Sequence, residues 1–135
     1  MRNKDIMLIL VLLITLSFLI FTIPASRVNS EDFLGVWQGR VNNEQEVEFI
    51  FSNNNKCRVS GLNYMGEHFY AKCSINTKKD IVTLTISKIS SGLESLYSIM
   101  EFIGLDRIRI ASFSQKWRTM PIMFNKNTDI VLYKK

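Results

Sequence analysis

The sequence predicts a mainly β fold, an antiparallel up-and-down meander of about seven or eight strands preceded by an N-terminal apolar helix. Three features carry this expectation. Short runs rich in Val, Ile, Phe, Tyr and Thr recur from residue 34 to residue 134, and several alternate apolar with polar residues, which is the period of a half-buried strand. Asn or Gly stands in most of the connections between them, and both accept the backbone conformations that tight turns need. Ahead of the strands, Ile6 to Ile23 is free of charge, and only Thr15, Ser17 and Thr22 interrupt its aliphatic and Phe-rich run.

That N-terminal run has a length between two uses. A secretory signal takes an apolar stretch of about 7–15 residues and a spanning helix about 18 or more, so residues 1–30 read as a signal peptide or a single membrane anchor. Arg2 and Lys4 precede the run, and such a flank holds its end in the cytoplasm while the rest crosses. Pro24 ends the helix, Val28-Asn29-Ser30 offers a cleavage site, and Ala25 and Ser26 offer a second. The expected location is extracytoplasmic: secreted or periplasmic after cleavage near Ser30, otherwise tethered by one N-terminal helix. A buried globular helix would show a polar face, and this run has none.

Residues 31–135 make one domain, since 105 residues support a single core but not two. Setting aside Arg2, Lys4, Arg27 and Asp5 leaves 14 basic and 11 acidic side chains, a net charge of +3. That balance permits attraction to anionic surfaces and is too weak to indicate nucleic-acid binding. Cys57 and Cys73 are the only cysteines, and an even number in an oxidising compartment invites a disulfide.

Five strands open the domain: Leu34–Val41, Gln45–Ser52, Lys56–Leu62, Glu67–Ile75 and Asp80–Lys88. In the second, Val47, Phe49 and Phe51 alternate with Glu46, Glu48 and Ile50, so the first three face inward. Placing Cys57 and Val59 on the same face pairs Phe51 with Cys57 and Phe49 with Val59, across an Asn53-Asn54-Asn55 loop. The same rule sets Trp37 opposite Phe49 with Asn42-Asn43-Glu44 as the turn. For the third hairpin, a turn centred on Met65 sets Cys57 directly opposite Cys73 and Val59 opposite Ala71. Opposed Cα atoms lie about 4.5–5.5 Å apart, a span that a disulfide closes, so a Cys57–Cys73 bond is expected.

Past Ile89 the stretch 92–103 reads either as helix or as strand. Ser91-Gly92-Leu93-Glu94 has the spacing of a capping box, with Glu94, Ser95, Ser98 and Glu101 on one helical face and Leu93, Leu96, Tyr97, Met100 and Ile103 on the other; these favour a short helix ending at Gly104. Arg107 to Phe113 returns to strand, Trp117 to Phe124 holds an extended piece broken by Pro121, and Asp129 to Lys134 is the last strand.

Chemistry-bearing groups are sparse. His68 is the only histidine and stands five residues from Cys73 on one strand, so the two point to opposite faces. One histidine and a bonded cysteine pair supply no metal site, and no catalytic residue or cofactor is expected. Glu44, Glu46 and Glu48 recur at a spacing of two, better explained by a solvated strand face than by acid–base work on a glycoside. On the outer side Arg58 and Lys72 face each other by the register above, and Arg107, Arg109, Lys116 and Arg118 form a second basic group. Lipid headgroups, glycan or an acidic protein would suit such surfaces; solvated faces that deter edge pairing are the plainer explanation.

Phe33-Leu34-Gly35-Val36-Trp37-Gln38-Gly39, with its Gly-x-Trp at the head of the first strand, resembles lipocalin-like small barrels of the calycin type. Arg118-Thr119-Met120-Pro121 followed by Ile130-Val131-Leu132-Tyr133-Lys134 resembles the ending of bacterial members. The resemblance implies a closed barrel over residues 33–135 in which Trp37 packs at the closed end beneath a late-strand arginine, Arg118 or Arg109. It also implies a binding module for a small hydrophobic ligand, with Trp37, Phe49, Phe51, Val59, Phe69 and Ile110 as candidate lining; the same residues could equally fill the core. The alternative is an interaction or inhibitor domain acting through Arg58, Lys72, Arg107, Arg109 and Arg118. Membrane contact through residues 6–23 is expected if the segment is not cleaved, and no nucleic-acid partner is expected.

Overall fold

A computed structural model describes residues 2–22, 28–41, 45–62 and 68–135. The N-terminal run is one helix, α1 (Asn3–Thr22). From Ile6 to Leu16 its apolar side chains stand exposed. Among the described residues no helix is long and apolar enough to cross a membrane. The proposed helix stop at Pro24 and the cut at Ala25 and Ser26 lie outside the described residues.

The remainder is a closed antiparallel barrel of eight strands in chain order: β1 (Gly35–Val41), β2 (Gln45–Phe51), β3 (Lys56–Ser60), β4 (His68–Asn76), β5 (Val82–Ser87), β6 (Leu96–Gly104), β7 (Arg107–Ile110) and β8 (Ile130–Lys134). Closure joins β1 to β8, with Trp37 opposite Lys134 and Gly39 opposite Leu132. Gly39 is required at this seam, since a Cβ there would lie 2.0 Å from the Val131 carbonyl oxygen. Alternation holds round the barrel: Trp37, Val47, Phe49, Val59, Phe69, Leu84, Ile86, Ile108, Ile110 and Leu132 are buried inside. Fully burying a side chain of this size contributes about 1.5–3 kcal/mol, so the interior supplies most of the driving force for folding.

The first two registers follow the sequence pattern. Trp37 lies opposite Phe49, Phe49 opposite Val59, and Phe51 opposite Cys57. Asn54 and Asn55 take left-handed conformations (φ 63° and 59°) in the β2–β3 turn, the role Asn fills at low steric cost. The Asn42-Asn43-Glu44 turn lies outside the described residues.

The third hairpin differs in register. Cys57 is opposite Ala71, not Cys73; Arg58 is opposite Tyr70, not Lys72; and Val59 is opposite Phe69. A shift of two residues keeps every side chain on its face, which is why alternation could not detect it. The Cys57–Cys73 disulfide still forms, between diagonal neighbours with Cα atoms 5.7 Å apart. The turn expected to centre on Met65 lies outside the described residues.

Residues 96–104 are strand rather than helix, paired to β5 on one side and β7 on the other. Two features hid this. Ser98, read as polar surface, points inward and is buried, its hydroxyl donating to the Ala111 carbonyl at 2.7 Å. Ile99 points outward by alternation yet is also buried, so the period of two is blurred by cover on both faces. Gly92 (φ 83°) belongs to a turn, its N–H donating to Ile89 O, in place of a helix cap. The expected extended piece at 117–124 is likewise no strand; it opens with a 3₁₀ turn at Trp117–Thr119 within the β7–β8 connection.

Candidate functional site

One barrel end is closed by the 3₁₀ turn Ser30–Phe33 that leads into β1. Phe33 is fully buried and stacks on Phe102 at 4.5 Å, while the Trp37 indole N–H donates to the Phe33 carbonyl at 2.8 Å. The cation over the Trp37 ring is Lys134 of β8, 5.6 Å from its centroid. Neither arginine offered by the resemblance takes that place: Arg109 lies over Phe124 and Arg118 over Trp117. Beside the turn, a depression of about 520 Å³ opens between Glu31 and the Asn53–Asn55 turn, with Phe51 and Cys73 on its wall.

The six candidate lining residues all point into the barrel and are nearly or fully buried, Phe51 also bordering that depression. A side chain lining a ligand cavity exposes area to that cavity, whereas Trp37, Phe49, Val59 and Ile110 expose 0%, Phe69 2% and Phe51 4%. Phe113 enters from the β7–β8 connection and stacks on Phe49 with centroids 6.2 Å apart. Around Trp37, Phe49, Val59, Phe69 and Ile110 the barrel is packed with its own side chains, as eight strands allow.

The basic candidates do not converge. Arg58 lies over Tyr70 on the outer face of β3 and β4, and Lys72 is opposite Lys56; two like charges so opposed weaken the pair locally. Arg107 and Arg109 are on β7, about half the barrel away in strand order. Arg109 is internally committed, pairing with Glu101 and lying 3.8 Å from the carboxylate of Asp129, a side chain only 2% exposed. Asp129 in turn accepts from the Asn125 N–H at 2.9 Å. The ring of Phe124 sits 4.4 Å from the Arg109 guanidinium, so this cluster clamps the connection to the barrel wall.

What sequence reading missed is the apolar part of the connection. Trp117, Ile122 and Met123, expected within a strand, stand exposed beside Lys116, Arg118 and Lys126. A signal was present: from Arg107 to Thr128 there are five cations and no carboxylate. Of the three glutamates spaced by two, Glu48 accepts from Gln38 and Glu46 pairs with Arg40; Glu44 lies outside the described residues. His68 is exposed against Tyr70 and Cys73 is buried in the disulfide. Among the described residues no group of three His, Cys, Asp or Glu could hold a metal ion.

The eight-stranded antiparallel barrel is consistent with a lipocalin-like fold. No family model matches the chain, and no curated protein or solved structure is significantly similar to it.

Proposed function

We propose that this chain is an exported barrel with a structural core, and that it acts by binding an anionic partner through its outer face. Export is supported by the uncharged run from Ile6 to Ile23 behind Arg2 and Lys4 and agrees with the Cys57–Cys73 disulfide. The observation that carries the choice between interior and surface is the packing of the six candidate lining residues, which expose at most 4% of their area. Phe113, from the β7–β8 connection, adds to this packing by stacking on Phe49. The outer surface offers instead the carboxylate-free stretch from Arg107 to Thr128.

The test compares two neutralised variants of equal charge on immobilised heparin and polyglutamate. K116Q/R118Q/K126Q is expected to elute at much lower salt than K78Q/K79Q/K88Q, because only the first removes charge from the connection; screening by salt is the mark of exposed charge pairs. Equal elution would remove the connection from the binding face. A fluorescent fatty-acid probe is expected to give no saturable signal and no Trp37 response, and saturation would restore the interior-ligand function.

A further inference from the structure

Building on the outer-face reading above, we propose that residues 116–126 contact an anionic lipid bilayer, with Trp117, Ile122 and Met123 entering the headgroup boundary and Lys116, Arg118 and Lys126 meeting lipid phosphates. Trp117, Ile122 and Met123 are 66%, 76% and 73% exposed. Single exposed apolar side chains are ordinary, but three large ones fall within seven residues of one surface connection.

The connection that carries these side chains is held at both ends. Phe113 is fixed against Phe49 at one end and Phe124 beneath Arg109 at the other. Between them the Ser114 and Thr119 hydroxyls are hydrogen-bonded, and the Met120 N–H donates to the Trp117 carbonyl at 3.2 Å. Pro121 then limits the backbone immediately before Ile122.

Charge and shape identify the partner. Among the described residues Lys116, Arg118 and Lys126 make no ion pair, while Arg109 is already neutralised by Glu101 and Asp129. Arg118 lies 5.9 Å from the Trp117 ring, bringing a cation and an indole close together, as at a headgroup boundary. A protein partner would be held by anchors seated in complementary pockets. A bilayer needs no matching shape, and exposed apolar side chains with Lys116, Arg118 and Lys126 in the same stretch suit it.

The test uses the full chain with phosphatidylcholine vesicles, with or without phosphatidylglycerol, whose acyl chains are brominated. Trp37 and Trp117 are the only tryptophans, and Trp37 is buried, so lipid quenching reports on Trp117 and should vanish in W117F. Quenching is expected only with phosphatidylglycerol, and K116Q/R118Q/K126Q should weaken binding roughly 100-fold at low salt. I122S/M123S should reduce quenching while the circular dichroism stays unchanged. Attachment through α1 alone would occur on both vesicle types and leave Trp117 quenched by aqueous iodide but not by lipid, which overturns the proposal. If the chain still binds phosphatidylglycerol or heparin in a salt-sensitive way with Trp117 in water, lipid insertion is wrong and the basic-face reading stands. If neither binding responds to salt, both are wrong.

Discussion

Asp129 shows how one side chain holds a surface segment in place. It accepts from Asn125, faces Arg109 at 3.8 Å and is 2% exposed, while Asp129 Oδ2 and Arg109 Nε make no hydrogen bond of their own. An ion pair of this kind matters most when broken, because the remaining charge is left in a poorly hydrated place. Asp129→Ala is expected to lower stability by about 1–3 kcal/mol, read as a shift of the urea midpoint with an unchanged slope. The same variant should speed hydrogen exchange in residues 111–129 more than in β2 and β3. The contact with Asn125 is local, but nothing local in the sequence marks the pairing with Arg109, which comes from β7. Lys134 over Trp37 is similar: the indole was legible as core, but its cation was set by the β1–β8 register.

Among elements, β2 was the most legible and β6 the least. Val47, Phe49 and Phe51 alternate with residues that face water or are only half-buried, so period two and burial agree. In β6 a polar residue points inward and an apolar one outward, so a helical spacing fitted as well as an extended one. The β3–β4 pair fails differently, because alternation defines faces while the turn length defines register. Its disulfide survives the two-residue shift, and Cys57 and Cys73 enclose a short loop. Cys57→Ala/Cys73→Ala is expected to cost about 3 kcal/mol in the chain-entropy account, measured by equilibrium unfolding under non-reducing conditions. Mass spectrometry of the unreduced chain should find no free thiol.

For the whole molecule, closure is the decisive event. Joining β1 to β8 removes both sheet edges and turns one face of a meander into a sealed interior. Gly39→Ala is expected to cost about 3 kcal/mol, near the upper end for overpacking, because the new Cβ meets backbone rather than a movable side chain. Loss should appear as faster hydrogen exchange along β1 and β8; an unaltered exchange pattern would mean that the seam is not held closed in solution. The sequence by itself determined the apolar N-terminal helix, the β class, the inward set of β1 and β2 and the bonded cysteine pair, since these rest on local period, turn chemistry and residue type. Only the tertiary structure decided the register of β3 with β4, the strand state of 96–104, the dispersal of the basic candidates and the stacking of Phe113 on Phe49, because each depends on partners distant in the chain. It also left Trp117, Ile122 and Met123 exposed on the connection, with Arg118 over the Trp117 ring, which no periodicity could show, since a connection has none.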